Sequence, residues 1–159
     1  MAFRPASDTD LDALLTMQGE YYEEDGYPFS LEEARVAAQQ LVHEPELGSA
    51  WIAEENGEVA GFLIVTYGWS LEYNGKDAFV DELYVRPRFR GHGLGREGLG
   101  LAEWVCRGAG VRALHLEVEK RRHERTRQMY RRAGFVEHDR YLMTKRLDEP
   151  EPEPPKQEA

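Results

Sequence analysis

The chain of 159 residues has a single cysteine, Cys106, which excludes an internal disulfide and a cysteine-based metal site. No apolar run approaches the roughly 18–20 residues of a membrane-spanning helix. The opening Met1-Ala-Phe-Arg-Pro-Ala-Ser-Asp8 lacks the basic-then-apolar layout of a secretory signal. The five histidines show no metal-ligand spacing, so no metal is expected. Together these absences point to a reducing cytoplasm and away from a membrane partner. Bases are scarce in the first half: residues 1–85 hold 18 Asp and Glu against 3 Lys and Arg. The formal net charge of −10 argues against a general nucleic-acid binder.

What is present suits one globular domain. The mass is 18.3 kDa, with 41% hydrophobic and 31% charged residues. Charge is asymmetric: residues 86–147 carry 16 bases and 7 acids, the reverse of the segment before them. One half suits a cationic ligand and the other a polyanion, unless both are simply solvated surfaces. Residues 148–159 are Pro- and Glu-rich, with no apolar side chain larger than Ala or Pro. They cannot offset their ordering entropy and are expected to be disordered, leaving residues 1–147 as the domain.

Ser7 and Asp10 read as a capping signal, and Leu11, Leu14, Leu15 and Met17 follow at helical spacing to about Glu24. Gly26 and Pro28 break that helix, and Ser30 with Glu33 opens a second. Two Asn-Gly turns, 56–57 and 74–75, separate three apolar runs, which predicts an antiparallel meander ending at Pro87. A glycine-rich loop leads into a helix to about Gly108. A strand over 111–118, a helix over 123–133 and a last strand over 135–147 complete the pattern. This is an α/β (α+β) chain with a mixed, mostly antiparallel central sheet and helices on both faces.

The loop Arg86-Pro-Arg-Phe-Arg-Gly-His-Gly-Leu-Gly95 joins a strand end to a helix start. Amides at a helix N-terminus lack intrahelical partners, and the dipole there favours negative charge. Gly91, Gly93 and Gly95 let that backbone approach a ligand, and Arg88, Arg90 and Arg96 bracket it with guanidinium groups. A pyrophosphate is the expected guest. There is no Walker string. Gly93-Leu-Gly-Arg-Glu-Gly98 matches the dinucleotide fingerprint by letter, but the first glycine stands too far from its strand, and hairpins precede it.

Arg88-Phe-Arg-Gly-His-Gly93, Leu116-Glu-Val118 and Met129-Tyr-Arg-Arg-Ala-Gly-Phe135 occur in the order and at nearly the spacing of three motifs of the GNAT family of N-acetyltransferases. The chain resembles that family from about residue 3 to residue 147. The resemblance implies acetyl-CoA as co-substrate, held by Leu83, Tyr84 and Val85 along the pantetheine arm and by Arg88, Arg90, Gly91, His92, Gly93, Leu94, Gly95 and Arg96 at the pyrophosphate. It also places His123 at the cofactor, where the family often carries Asn. A homodimer is implied only as a family habit.

Acetyl transfer to an amine needs the neutral amine, which is only about one in a thousand of a lysine-like group at pH 7. A base is therefore expected, along with a proton donor for the departing thiolate. By resemblance Tyr130 is the donor. The base candidates are Glu117, Asp81 and Glu82. Strand alternation puts Asp81 and Glu82 on opposite faces unless a bulge intervenes. The acceptor site is expected around Tyr22, Glu24 and Asp25 at the end of the first helix and Tyr67, Trp69 and Tyr73 around the second hairpin. Aromatic rings and carboxylates together suit a small alkylammonium acceptor. The alternatives are a non-catalytic acyl-CoA-binding module and an enzyme acetylating a protein amine.

Overall fold

The computed structural model describes residues 1–119 and 124–148. His123 and the tail beyond Asp148 lie outside the described residues. A short strand β1 (Phe3–Pro5) precedes the helices α1 (Leu11–Asp25) and α2 (Leu31–His43). Then come β2 (Gly48–Glu55), β3 (Glu58–Ser70) and β4 (Gly75–Val85), followed by α3 (Leu94–Gly108), β5 (Ala113–His115) and α4 (Glu124–Arg132). The sheet order is β1-β2-β3-β4-β5, antiparallel throughout except for the parallel β4–β5 pair.

Local chemistry explains the meander. Asn56 and Gly57 take φ of 53° and 78°, and Asn74 takes 59°, as tight hairpin turns require. Along β2 and β3 the side chains alternate between two cores. Ala50, Ile52, Phe62 and Ile64 pack beneath α1 and α2, while Ala53, Leu63 and Val65 pack with Leu99, Ala102 and Cys106 of α3. The expected layering of helices on both faces is thus formed. Gly98 sets how closely α3 approaches: a Cβ there would lie 2.9 Å from Leu83 and 3.1 Å from Phe3. The helix cost of a glycine, about 1 kcal/mol relative to Ala, is accepted for that contact.

β1 is absent from the sequence-based expectation. Three residues containing a proline carry no alternation signal, and only pairing with Ala53, Ile52 and Trp51 makes them a strand. Two expected strands are corrected. The strand foreseen over 111–118 covers only 113–115, and none forms over 135–147, where the chain is irregular with a bend at Asp139. Ionic contacts hold that last segment instead: Arg127 and Arg131 both reach Glu137 (2.9 and 2.8 Å), and Arg140 pairs with Glu72 at 2.8 Å.

The capping signal at Ser7 closes a 3-10 turn ahead of α1. The Ser7 amide donates to Asp10 Oδ2 at 2.8 Å, and Arg4 grips both Asp10 oxygens at 2.8 and 2.9 Å. Arg4 holds the buried Asp10 carboxyl down at about 2, against a burial penalty in the opposite sense. A depressed carboxyl adds stability above its ordinary pKa and loses it as pH falls through the folded value. Asp10→Asn is therefore expected to lower the urea midpoint at pH 6, and the gap to wild type should close between about pH 4 and pH 2. A gap independent of pH would contradict this account.

Candidate active site

β4 is paired with β5 only over Asp77, Ala78 and Phe79, yet it continues to Val85. Beyond residue 79 its outer edge is unpaired among the described strands. The break coincides with a bulge. Ile64 faces Glu82 and Val65 faces Val80, so Asp81 is the extra residue. A bulge bends and twists its strand, which carries β4 away from its neighbour.

The glycine-rich loop follows directly on the end of β4. A 3-10 turn (Pro87–Phe89) leads into it, and Gly91 and Gly93 take φ of 83° and 90°. Gly93 caps α3 in the left-handed conformation, so the amides of residues 94–96 open the helix without intrahelical acceptors. A Cβ on Gly91 would meet nothing within 4 Å, and one on Gly93 only Arg96 Nη2 at 3.9 Å. Space inside the protein does not require these glycines; the backbone conformation does, and the space in front of them is open.

The loop's arginines have different partners. Arg88 pairs with Glu58. Arg90 forks onto Glu24 at 2.8 and 2.9 Å, donates to the Val85 carbonyl at 2.8 Å and lies over the Tyr84 ring. Arg96 has no carboxylate partner among the described residues and lies beside Gly93. His92 contacts Glu55 at 3.3 Å. Leu94 is buried and anchors the start of α3, while Gly95 lies 3.5 Å, as a Cβ, from the Met129 sulfur. The Val85 carbonyl points away from β3. Leu83, two residues earlier, shares that orientation, whereas Tyr84 turns its backbone to β3 and buries its ring. Leu83 and Val85 are thus the residues whose backbone groups face the open edge.

A second feature adjoins α1. Tyr21, Tyr22, Tyr27, Asp81 and Glu82 line an open depression of about 370 Å³. Tyr22 donates its hydroxyl to Glu82, and Gln18 donates to both Glu82 oxygens at 3.2 Å. Tyr22 stands edge-on to Tyr21, Tyr27 and Phe29, with centroids 5.6–6.0 Å apart. Burial pushes the Glu82 carboxyl up, partly opposed by Tyr22 and Gln18. Burial and the Glu82 contact push the Tyr22 hydroxyl up as well. Asp81 is exposed by area, but the crowded wall still raises its carboxyl through desolvation. The bulge is what lets two sequence neighbours share one pocket, against simple alternation.

The other expected site residues are spread more widely. Glu24 faces the loop through Arg90, and Asp25 closes the same helix end, half-buried. Tyr67 packs into the α3-side core with Lys76 over its ring, on the opposite face from Tyr22. Trp69 is exposed, and Tyr73 packs on His115. The hairpin aromatics are therefore not gathered with Tyr22. Glu117 is exposed in the coil after β5. Tyr130 is half-buried against Phe135, its hydroxyl pushed up by burial. Sequence reasoning missed Gln18 and the ring of Tyr27; the spacing of Gln18 one helical turn before Tyr22 was the available signal.

The described sheet is mixed, its β4–β5 pairing stops at Phe79, and the start of α3 follows the end of β4 with its first amides free of intrahelical acceptors. The profile of the Acetyltransferase (GNAT) family matches residues 11–135, and the chain belongs to that family. An integron cassette protein from the mobile metagenome of Cole Harbour salt marsh is 36% identical, over 94% of this chain and 92% of that one, with a TM-score of 0.83. A "possible acetyltransferase" of Clostridium difficile 630 shares the fold at 19% identity, with coverages of 91% and 96% and a TM-score of 0.79. So does a "predicted acetyltransferase with acetyl-CoA" of Clostridium acetobutylicum, at 19% identity, coverages of 90% and 94% and a TM-score of 0.76. No protein of curated function matches the sequence. No helix among the described residues is long and apolar enough to cross a membrane.

Proposed function

We propose that the protein transfers an acetyl group from acetyl-CoA to the primary amine of a small cationic acceptor. The observation that carries this reading is the pocket in which Tyr21, Tyr22, Tyr27, Asp81 and Glu82 meet beside the open edge of β4. Two carboxylates and a ring of phenols suit an alkylammonium through Coulomb and cation–π attraction. The loop supports the other half of the reading. Bare amides at the start of α3 and the Arg96 guanidinium suit the pyrophosphate of CoA. The edge groups of Leu83 and the amide of Val85 suit the amides of its pantetheine arm, in the manner of an added strand. The C. acetobutylicum neighbour was solved with acetyl-CoA, which agrees with this assignment.

The transfer is direct. The acceptor ammonium gives up a proton to Glu82, or to a water held by Glu82 and Asp81, and the resulting amine attacks the thioester carbonyl. The nitrogen–carbon bond forms, the carbon–sulfur bond breaks, and the thiolate takes a proton from the Tyr130 hydroxyl; the second proton of the nitrogen passes through water to the Tyr130 phenolate, and Glu82 releases the first to solvent. Amide and CoA thiol leave. A raised carboxyl is a stronger base than an ordinary one, and this serves proton removal from an amine. Tyr130, with its hydroxyl pushed up by burial, holds its proton until a thiolate forms.

The test is CoA release from acetyl-CoA with a panel of amines: diamines, amino sugars, amino acids, lysine peptides and N-terminal peptides. Turnover should be confined to small cationic amines. Cofactor binding without turnover on any acceptor would favour the regulatory module. Turnover only on peptides would move the acceptor to proteins.

A further inference from the structure

Beside the pocket under the tyrosines lies a second, half-open hollow of about 130 Å³, between α1, α2 and the sheet. Its apolar walls include Leu14, Ala34, Ala38, Leu41, Phe62 and Ile64. The sequence of α2 is what leaves it open. Ala34, Ala37, Ala38 and Leu41 recur at helical spacing, so the face turned to β3 carries alanine where a larger side chain would reach the sheet. No residue of α2 is fully buried, although Phe62 beneath it is. Apolar space left open at such a place forgoes packing contacts that a single leucine would supply.

The polar lining is gathered at one end. Asp81 and Glu82 border both hollows, and Gln18 donates to Glu82. The carboxylates thus stand where a phenol-lined space meets an alkyl-lined one. A water deep in the alkyl part would lack the polar partners that hold one in place. A second ammonium would fare worse there: its charge would be desolvated against Leu14, Leu41, Phe62 and Ile64, and the carboxylates of the lining are the two already used. A hydrocarbon chain meets neither cost. A cavity of about 150 Å³ lined by Leu, Ile and Phe takes benzene, so this hollow has room for about four to six carbons.

We propose that the acceptor is a primary alkylamine, with its nitrogen between Asp81 and Glu82 and its hydrocarbon arm filling the hollow beneath α2. This rests on the acetyl-transfer reading above and narrows its acceptor to an amine with a single charge and an apolar tail. Each methylene that enters the hollow adds about three- to fourfold in affinity, up to the length that fills it.

NMR titration of the full chain, with and without saturating CoA, reads amine binding in the absence of any transfer. From ethylamine to hexylamine the affinity should climb about three- to fourfold per carbon and level off at about four to six carbons. Diaminopentane should bind about tenfold more weakly than pentylamine. Ala38→Leu fills the hollow and should flatten the series, so that pentylamine binds no better than ethylamine. Ile64→Ala enlarges it and should move the plateau to longer chains, a gain that a misfolded variant cannot show. CoA release from acetyl-CoA with the same amines separates the two readings. A rising series without turnover on any amine leaves the ligand of the hollow in place and removes the acetyl transfer. Turnover with a flat wild-type series overturns the alkylamine proposal and spares the transfer. A diamine that matches pentylamine, or a plateau that Ile64→Ala leaves unmoved, overturns the proposal as well. Binding of no amine overturns both.

Discussion

Glu82→Gln is expected to lower kcat/KM for a cationic amine by about 100-fold or more, the scale of losing a positioned base, while acetyl-CoA affinity is unchanged. Melting temperature at pH 7 should hold or rise. The sign follows from linkage. Burial raises the Glu82 carboxyl, so the folded chain binds that proton more tightly than the unfolded chain does. The group's favourable contribution is full below the ordinary carboxylate pKa and is lost as pH climbs through the raised value. At neutral pH the wild type therefore bears the cost of a buried charge, which the amide does not, and the amide oxygen can still accept from Tyr22. The rate of the wild type should climb with pH as Glu82 ionises. Steady-state kinetics and a thermal melt on one preparation decide between roles. A variant that is unstable but active would make Glu82 a structural residue, and the proposed base would have to be sought elsewhere.

Gly93→Val should weaken acetyl-CoA binding by about 100-fold, equivalent to about 2.8 kcal/mol, with a modest loss of stability. Gly93 stands at φ of 90°, where a β-branched residue costs about 1–2 kcal/mol. The side chain would find room within the protein, because the nearest atom to its Cβ is Arg96 Nη2 at 3.9 Å. The damage therefore falls on what approaches from outside: the valine would cover the amides at the start of α3 and shift the cap that aims them. Gly100→Ala is the control. It lies in the same helix, its Cβ would meet nothing within 4 Å, and it should gain about 0.5–1 kcal/mol without altering affinity. Calorimetry with acetyl-CoA reads both. Equal affinities for Gly93→Val and wild type would remove the loop from the cofactor site.

Much of this molecule is legible in one dimension because its signals are local. The Asn-Gly pairs at 56–57 and 74–75 need positive φ, so they place the hairpins by their own stereochemistry. Ser30 accepts the Glu33 amide at 3.5 Å and starts α2 where the capping pattern places it. Gly91 and Gly93 adopt the conformation that their identity allows. Other features have no local signature. β1 exists because β2 is there to pair with it. The strand foreseen over 135–147 is irregular chain, because alternation reports a face and not a pairing partner. Tyr67 and Tyr22 look alike in sequence, yet they lie on opposite faces of the sheet, because α1 covers one side and α3 the other.

The pattern of residues, by itself, determined the meander, the helices that flank it and the glycine-rich turn that opens α3, since each depends on backbone geometry within a few neighbours. The meeting of Asp81 and Glu82 in one pocket was decided only in three dimensions. One extra residue opposite Val65 and Ile64 turns both side chains toward Tyr22 and parts β4 from β5. A bulge arises from pairing between distant segments, so the same event that brought the two carboxylates together beneath α1 left no trace in the order of the residues.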